Sequence, residues 1–321
     1  LFFTSEKPYQ SILGLVYWIF EPSLLLGSQL SVLMFAISCV VLIKILGLLE
    51  LSRYKVSVIL VFGALPSMVF LGSVTLRESY QVLFFMLATY FGLRMLIERN
   101  IRVYGIFMVM SGSIMGTLHK GLAIFFVCLI SLFMMFNIYP SSSLLSIKKE
   151  YFLRLLVIPT LALSTIFLVK FQFVELAILS QFTSTSAFGD NIPLWEQALR
   201  YQTKSLKIIG RATYGFPIDL SSAFTIAHTS FALYLHYLFE PFPWHVKNIP
   251  DLGASIESIL RLVLIGFSLK YLCRVNGMQF RLLLLMLILF FTMSFMWAMG
   301  TTNYGTAMRH NLLSWWILAI T

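Results

Sequence analysis

Three short segments of the sequence combine charged or imidazole side chains with small residues, in patterns that could do chemistry on an anion. The first segment, residues 66–79 (PSMVFLGSVTLRES), ends in Arg77 and Glu78. An arginine binds oxyanions through several N–H groups, and a neighbouring carboxylate either orients it or accepts a proton. In the alternative interpretation, both charges mark the end of a membrane span and contact lipid headgroups.

The second segment, residues 111–121 (SGSIMGTLHKG), is a run of small residues followed by a basic turn. Serine and glycine let helices pack closely in lipid, so the small residues are assigned to packing. His119 and Lys120 form a tight turn between two spans. A histidine transfers protons near neutrality and a lysine neutralises phosphate. The alternative is that both side chains are simply solvated.

The third segment, residues 299–311 (MGTTNYGTAMRHN), is a polar, glycine-containing stretch at membrane depth. Such a stretch is tolerated only beside protein or a water-filled cavity. We therefore expect a functional role for Arg309, with Asn303 as a candidate substrate-binding residue in the same loop and His310 directly after Arg309.

Other kinds of site have no signal in the sequence. His228, His236 and His245 lack a carboxylate or cysteine partner at metal-ligand spacing, so no metal site is predicted. The chain has no phosphate-binding Walker motif, no nucleophile elbow and no dinucleotide fingerprint. No cofactor is predicted.

The elements that must position these segments are membrane helices. Of the 321 residues, 59% are hydrophobic and 11% charged, and the mean hydropathy is +0.88. A soluble domain carries about 25% charged residues, so lipid must cover this chain. The net charge of +10 lies in short clusters at the ends of apolar runs, which is typical of topology signals and excludes a nucleic-acid groove. The apolar run cut off at Thr321 indicates a piece of a longer protein.

Apolar runs of about 20 residues predict an all-α, polytopic transmembrane helix bundle with about nine spans. The predicted spans are 24–45, 55–75, 79–97, 102–118, 121–139, 151–172, 254–273, 281–299 and a last one from about 309. Pro66 is predicted to break or kink the second span. Every second loop is basic and is assigned to the cytoplasm, which puts the three segments on the outer face.

The predicted domain organisation has three parts: an N-terminal bundle at 1–172, an extracytoplasmic loop at 173–253 and C-terminal helices at 254–321. Within the loop, 192–209 is predicted to be an amphipathic helix on the membrane surface. A full crossing at 222–239 would reverse the charge bias, so this stretch is predicted to be re-entrant or interfacial.

Three stretches resemble, in the same order, segments of bacterial O-antigen or oligosaccharide repeat-unit polymerases. They are LPSMVFLGSVTLRESYQVLFFML, LFEPFPWHVKNIPDLGASIES and TTNYGTAMRHNLLSWWIL, and together they cover residues 66–321. The sequence departs from the family pattern at His119 and Lys120, where an Arg-Pro pair is often present. It also departs at Glu240, where a basic residue often precedes Pro-Phe-Pro-Trp.

The resemblance implies an integral-membrane (GT-C-like) glycosyltransferase in the cytoplasmic (inner) membrane, acting on polyprenyl-pyrophosphate-linked oligosaccharide. The implied partners are this lipid-linked oligosaccharide and membrane lipids. Arg77 and Arg309, then Lys120, would stabilise the leaving pyrophosphate. The implied proton acceptors are Glu78, His119 and His310.

Two other functions stay open at this stage. The first is a transporter or flippase for a lipid-linked sugar or small solute. Transporter sites usually lie near the midplane between inverted repeats, whereas the charged residues of the three segments lie at one interface and no repeat is visible. The second is a non-catalytic membrane subunit, whose partners would be other membrane subunits.

Overall fold

The computed structural model of the protein describes residues 8–138, 206, 212–218 and 221–321. Its helices are α1 (Pro8–Phe20), α2 (Leu24–Leu48), α3 (Lys55–Gly63), α4 (Pro66–Ser73), α5 (Glu78–Glu98), α6 (Ile101–Leu118), α7 (Lys120–Ile138), α8 (Ala223–Phe239), α9 (Ile249–Leu272), α10 (Gly277–Gly300) and α11 (Tyr304–Ile320). Within the described ranges, the only β-type pairing is an isolated bridge between Thr213 and Asn303. The predicted all-α class is confirmed there.

Five of the described helices are long and apolar enough to cross a membrane: α2, α5, α6, α9 and α10. This agrees with a multi-pass membrane protein, while the count of about nine spans stays a prediction. The predicted span at 151–172 and the predicted amphipathic helix at 192–209 lie outside the described residues.

Polar side chains cap the starts of several of these apolar helices. Ser23, Asn100 and Asn248 each accept a hydrogen bond from a backbone N–H in the first turn of the helix that follows. The first N–H groups of a helix have no partner inside the helix, and an unpaired group costs several kcal/mol in hydrocarbon. The caps therefore determine where α2, α6 and α9 begin.

The predicted second span is two helices, α3 and α4, separated at Ala64 and Leu65. Pro66 is the first residue of α4. Proline has no N–H and its ring clashes with the preceding turn, so the helix cannot continue through it. The predicted break at Pro66 is confirmed.

Two predicted boundaries require correction. Helix α9 begins at Ile249 and not at 254, because Asn248 caps it and Pro250 fits its first turn. Helix α11 begins at Tyr304 and not near 309, because Asn303 caps it. The chain before α2 contains α1, a helix of 13 residues.

Small residues allow α5, α6 and α7 to pack closely. A Cβ atom added at Gly112 would lie 2.1 Å from the Phe126 ring, and one added at Gly92 would lie 2.6 Å from the Phe133 ring. No side chain fits at such distances unless its neighbour moves. The packing role predicted for the small residues is therefore confirmed at Gly112.

Basic loops from distant parts of the chain meet at one end of the bundle, which we name the basic end. Gln279 donates a hydrogen bond to the Leu49 carbonyl at 3.3 Å, which joins the loop after α2 to the start of α10. Arg99 and Arg281 line one cavity there. This meeting supports the prediction that these loops share one side of the membrane.

Candidate functional site

The opposite end of the bundle, which we name the site end, brings the first and third sequence segments together. Glu78 is the first residue of α5, and Arg309 lies inside α11. The Arg309 guanidinium donates a hydrogen bond to Glu78 Oε1 and forms an ion pair with it. Glu78 is only 4% exposed, and its Oε2 atom is buried without a hydrogen-bond partner among the described residues.

Arg77 connects the first segment with the second. It precedes α5, and its Nη1 donates to the Leu118 carbonyl at 3.4 Å. Leu118 is the last residue of α6, where the helix dipole places partial negative charge. A cation there is stabilised by the helix end, and it lies beside the turn that carries His119.

An aromatic stack joins the second segment to the third. The His119 ring contacts Trp297 edge-on at a centroid distance of 4.8 Å, and Trp297 stacks on His310 at 3.9 Å. The two imidazole centroids are 6.3 Å apart. Trp297 was not among the predicted site residues, because an aromatic residue inside an apolar helix carries no signal that separates it from the core.

The protonation of His119 follows from its contacts. Its Nδ1 accepts a hydrogen bond from the Gly121 N–H at 3.0 Å, so the ring proton of the neutral form lies on Nε2. Burial lowers the pKa of His119 to about 4, and the neighbouring cations Arg77 and Arg309 act in the same direction. At neutral pH, His119 is therefore an uncharged hydrogen-bond donor through Nε2–H.

His310 and Asn303 have different surroundings. His310 Nδ1 lies 3.2 Å from the Thr301 hydroxyl, which can donate or accept. The Asn303 amide oxygen accepts hydrogen bonds from the N–H groups of Gly305 and Thr306 at 2.8 and 3.4 Å. This cap accounts for Asn303 without a ligand, and its substrate-binding role stays a prediction.

Lys120 is the first residue of α7. Its backbone therefore lies at the site end beside His119, but its side chain is outside the described part of the structure. Its predicted contact with a pyrophosphate stays a prediction.

A segment of the predicted outer loop lies across the turn between α10 and α11. The Tyr214 N–H donates to the Thr302 carbonyl at 3.0 Å, and the Tyr304 N–H donates to the Ala212 carbonyl at 3.0 Å. These bonds satisfy backbone groups of an irregular turn that would be costly to bury unpaired. The loop segment therefore holds the turn that precedes Arg309.

A second polar region lies inside the bundle, where α8 ends. Side chains of α9 and α11 donate to carbonyls at the end of α8 and at Glu240, the residue that follows it: Arg261 to Leu238, Ser258 to Glu240, and Asn311 to Tyr237. Arg261 is 2% exposed, and its guanidinium lies 5.1 Å from the centroid of the Trp315 ring. A cation at a helix C-terminus opposes the negative end of the helix dipole.

Glu257 lies one turn before Arg261 in α9 and is also 2% exposed. Its Oε1 accepts a hydrogen bond from the Ser67 N–H at 2.8 Å, in the first turn of α4. The break at Pro66 leaves that N–H without a partner inside its own helix. The positive end of the α4 dipole also favours a carboxylate there. The sequence analysis missed Glu257 and Arg261, although two ionisable residues inside one apolar run are a recognisable signal.

A buried carboxylate also lies between two of the histidines. His245 Nδ1 is 2.6 Å from Glu240 Oε1, and His236 Nδ1 is 3.7 Å from Glu240 Oε2. Burial alone would raise the pKa of Glu240, but its contacts with His236 and His245 hold it below its usual value. The sequence analysis did not identify Glu240 as a partner of His236 and His245. Among the described residues, no group of three or more His, Cys, Asp or Glu is placed to hold a metal ion.

Comparison with protein-family models, curated proteins and solved structures finds no match for this chain. The function has to be inferred from the side chains themselves. Those at the site end comprise two arginines, a buried carboxylate and a neutral imidazole donor. Such a set can bind an anion and accept a proton beside it.

Proposed function

We propose that the chain is an integral-membrane glycosyltransferase that joins polyprenyl-pyrophosphate-linked oligosaccharide units at the outer face of the cytoplasmic membrane. The observation that carries this proposal is the meeting of Arg77, Glu78, His119 and Arg309 at one end of the bundle. These residues come from three distant parts of the chain, and together they suit a reaction that releases an anion.

The two arginines suit the leaving group. Negative charge grows on the lipid pyrophosphate as its bond to the sugar breaks, and fixed donors in a poorly hydrated site stabilise it. A guanidinium has five N–H groups. The contacts with described residues engage one nitrogen of Arg77 and one of Arg309, and the Arg309 side chain is 42% exposed. Both therefore have capacity for phosphate oxygens.

In this proposal, Glu78 is the base that accepts the proton of the acceptor hydroxyl. In the proposed step, an acceptor hydroxyl attacks the anomeric carbon, the new carbon–oxygen bond forms, and the lipid pyrophosphate leaves with the electron pair of the broken bond. The hydroxyl proton passes to Glu78 Oε2, which has no described partner. His119 is a hydrogen-bond donor through its Nε2–H. His310 is the alternative acceptor for the hydroxyl proton.

A transporter or flippase is the second candidate, and the interior of α9 favours it. Glu257 and Arg261 are buried charges inside a span, and Glu257 contacts the start of a broken helix. Transporters bind their substrates at discontinuous helices of this kind. In this chain, however, helix ends already engage both charges.

Reconstitution into liposomes with lipid-linked oligosaccharide tests the proposal. We expect the wild-type chain to lengthen the glycan, and Arg309→Gln to slow lengthening at least about a hundredfold, as loss of one transition-state donor does. Arg53→Gln, at an exposed arginine of the basic end, is the control and should keep full activity.

Two outcomes would contradict the proposal. Movement of labelled substrate across the liposome membrane without new glycosidic bonds would identify a transporter. If Arg309→Gln lowered stability or assembly with other membrane subunits and left no separate chemical defect, the chain would be a non-catalytic subunit.

A further inference from the structure

The basic end of the bundle contains a cavity of about 250 Å³, between the α5–α6 turn and the first turns of α10. Its walls combine the arginines Arg99 and Arg281 with apolar side chains that include Phe136 and Met278. We propose that this cavity binds the headgroup phosphate of an anionic phospholipid, with the start of an acyl chain against the apolar wall. The site does not depend on the proposed enzymatic function.

The charged side chains among the described residues that line the cavity are both arginines, Arg99 and Arg281. Arg99 is exposed and makes no ion pair or side-chain hydrogen bond with any described residue. The adjacent acid, Glu98, is engaged by Arg94 at 2.6 Å and by the Tyr104 hydroxyl. Glu98 therefore does not neutralise Arg99.

The second arginine is held in position by the fold. Arg281 donates to the Phe136 carbonyl at 2.8 Å and so joins α10 to the last turn of α7. It lies near the start of α10, where the helix dipole also favours an anion, and the side chain of Asn276 does not cap that helix. Phosphate oxygens bind better to an arginine that is fixed in this way than to a loosely held cationic side chain.

The size and the walls of the cavity indicate a lipid. Pockets for drug-sized ligands hold roughly 300–1,000 Å³, so this smaller cavity suits a phosphate and a few further atoms, not an oligosaccharide. Ile101 and Met278 line it and are 44% and 47% exposed, which continues its apolar wall to the surface of the bundle. Basic pockets between membrane helices bind anionic headgroups in this way.

Lipid binding to the full chain in detergent tests the proposal, with native mass spectrometry and the unfolding midpoint as readouts. The probes are phosphatidylglycerol, phosphatidylcholine and inorganic phosphate. We expect phosphatidylglycerol alone to remain bound and to raise the midpoint. Arg99→Gln should weaken its binding about fivefold, the effect of one arginine at an anionic surface. Arg53 is also exposed and at the basic end, and Arg53→Gln should leave the binding of phosphatidylglycerol unchanged.

A second variant tests the cavity with little risk to the fold. Met278 is half-exposed in the first turn of α10, where Met278→Glu adds a charge that the helix dipole stabilises. The added carboxylate should repel the phosphate and abolish selective retention of phosphatidylglycerol. Equal retention of both lipids, or equal effects of Arg99→Gln and Arg53→Gln, would overturn the proposal. A midpoint shift produced by inorganic phosphate alone, with none added by lipid, would overturn the lipid assignment.

Discussion

The site end and the interior of α9 each contain a basic residue and a buried acidic residue, but these charges are satisfied differently. In α9, Arg261 contacts the C-terminal end of α8 and Glu257 contacts the N-terminal end of α4. At the site end, Arg309 contacts Glu78, a side chain from a distant segment. The Arg309 side chain is 42% exposed, whereas Arg261 is 2% exposed.

This difference distinguishes charges that stabilise the fold from charges that are able to bind a ligand. A charge matched to a helix end stabilises the place where that helix stops, and it needs no ligand. A charge matched to another side chain and left partly exposed can exchange that partner for a ligand. Burial of a charge in a membrane protein is therefore not sufficient evidence of function, although it is a good reason to examine the residue.

Two matched substitutions test the comparison most strongly. Glu78→Gln and Glu257→Gln each replace one oxygen of a carboxylate that is 4% or 2% exposed. If Glu78 is the base, its variant should lengthen glycan about a thousandfold more slowly, within the range for loss of a general base. Glu257→Gln still accepts from the Ser67 N–H and should keep activity within about threefold, by the same extension assay. Equal losses in both variants would erase the distinction between the two regions.

Arg261→Met should lower the free energy of unfolding by about 3 kcal/mol, since it leaves the buried Leu238 carbonyl without its donor. Activity per folded molecule should not change. The midpoint of unfolding, followed by tryptophan fluorescence in detergent, measures the first effect. A normal midpoint combined with lost glycan extension would instead place Arg261 in a ligand site.

Acidification should destabilise the site end through His119. Its folded pKa is about 4 against an ordinary 6.5, so its contribution to stability is complete above pH 6.5 and decreases as the pH falls towards 4. Linkage gives a loss of about 2 kcal/mol between pH 7 and pH 5. His119→Asn, which can still accept from the Gly121 N–H, should remove this component. An identical pH dependence of stability in the wild type and in His119→Asn would show that folding does not hinder the protonation of His119.

The smallest effect concerns Asn303. Asn303→Ala removes the cap of α11 and should cost about 1 kcal/mol of stability, with unchanged activity per folded molecule. Asn303→Asp, which keeps an oxygen acceptor, should restore most of that stability. A loss of extension in both variants at normal stability would support the predicted substrate contact instead.

The sequence by itself determined the all-α class, the break at Pro66, and the location of Arg77 and Glu78 at a helix boundary. Apolar run length, proline stereochemistry and charge bias act over a few residues to one span, so these features can be read locally. The packing of Gly112 was predictable for the same reason.

Only the tertiary structure decided which polar groups became partners. Arg309 contacts Glu78 across 231 positions of the chain, and Ser67 contacts Glu257 across 190. No local pattern specifies such pairings, because they depend on how whole helices pack and on which unpaired helix ends must be satisfied in hydrocarbon. That requirement assigns Arg261 and Glu257 to helix ends, and it leaves the Arg309–Glu78 pair at the site end as the more accessible charge pair.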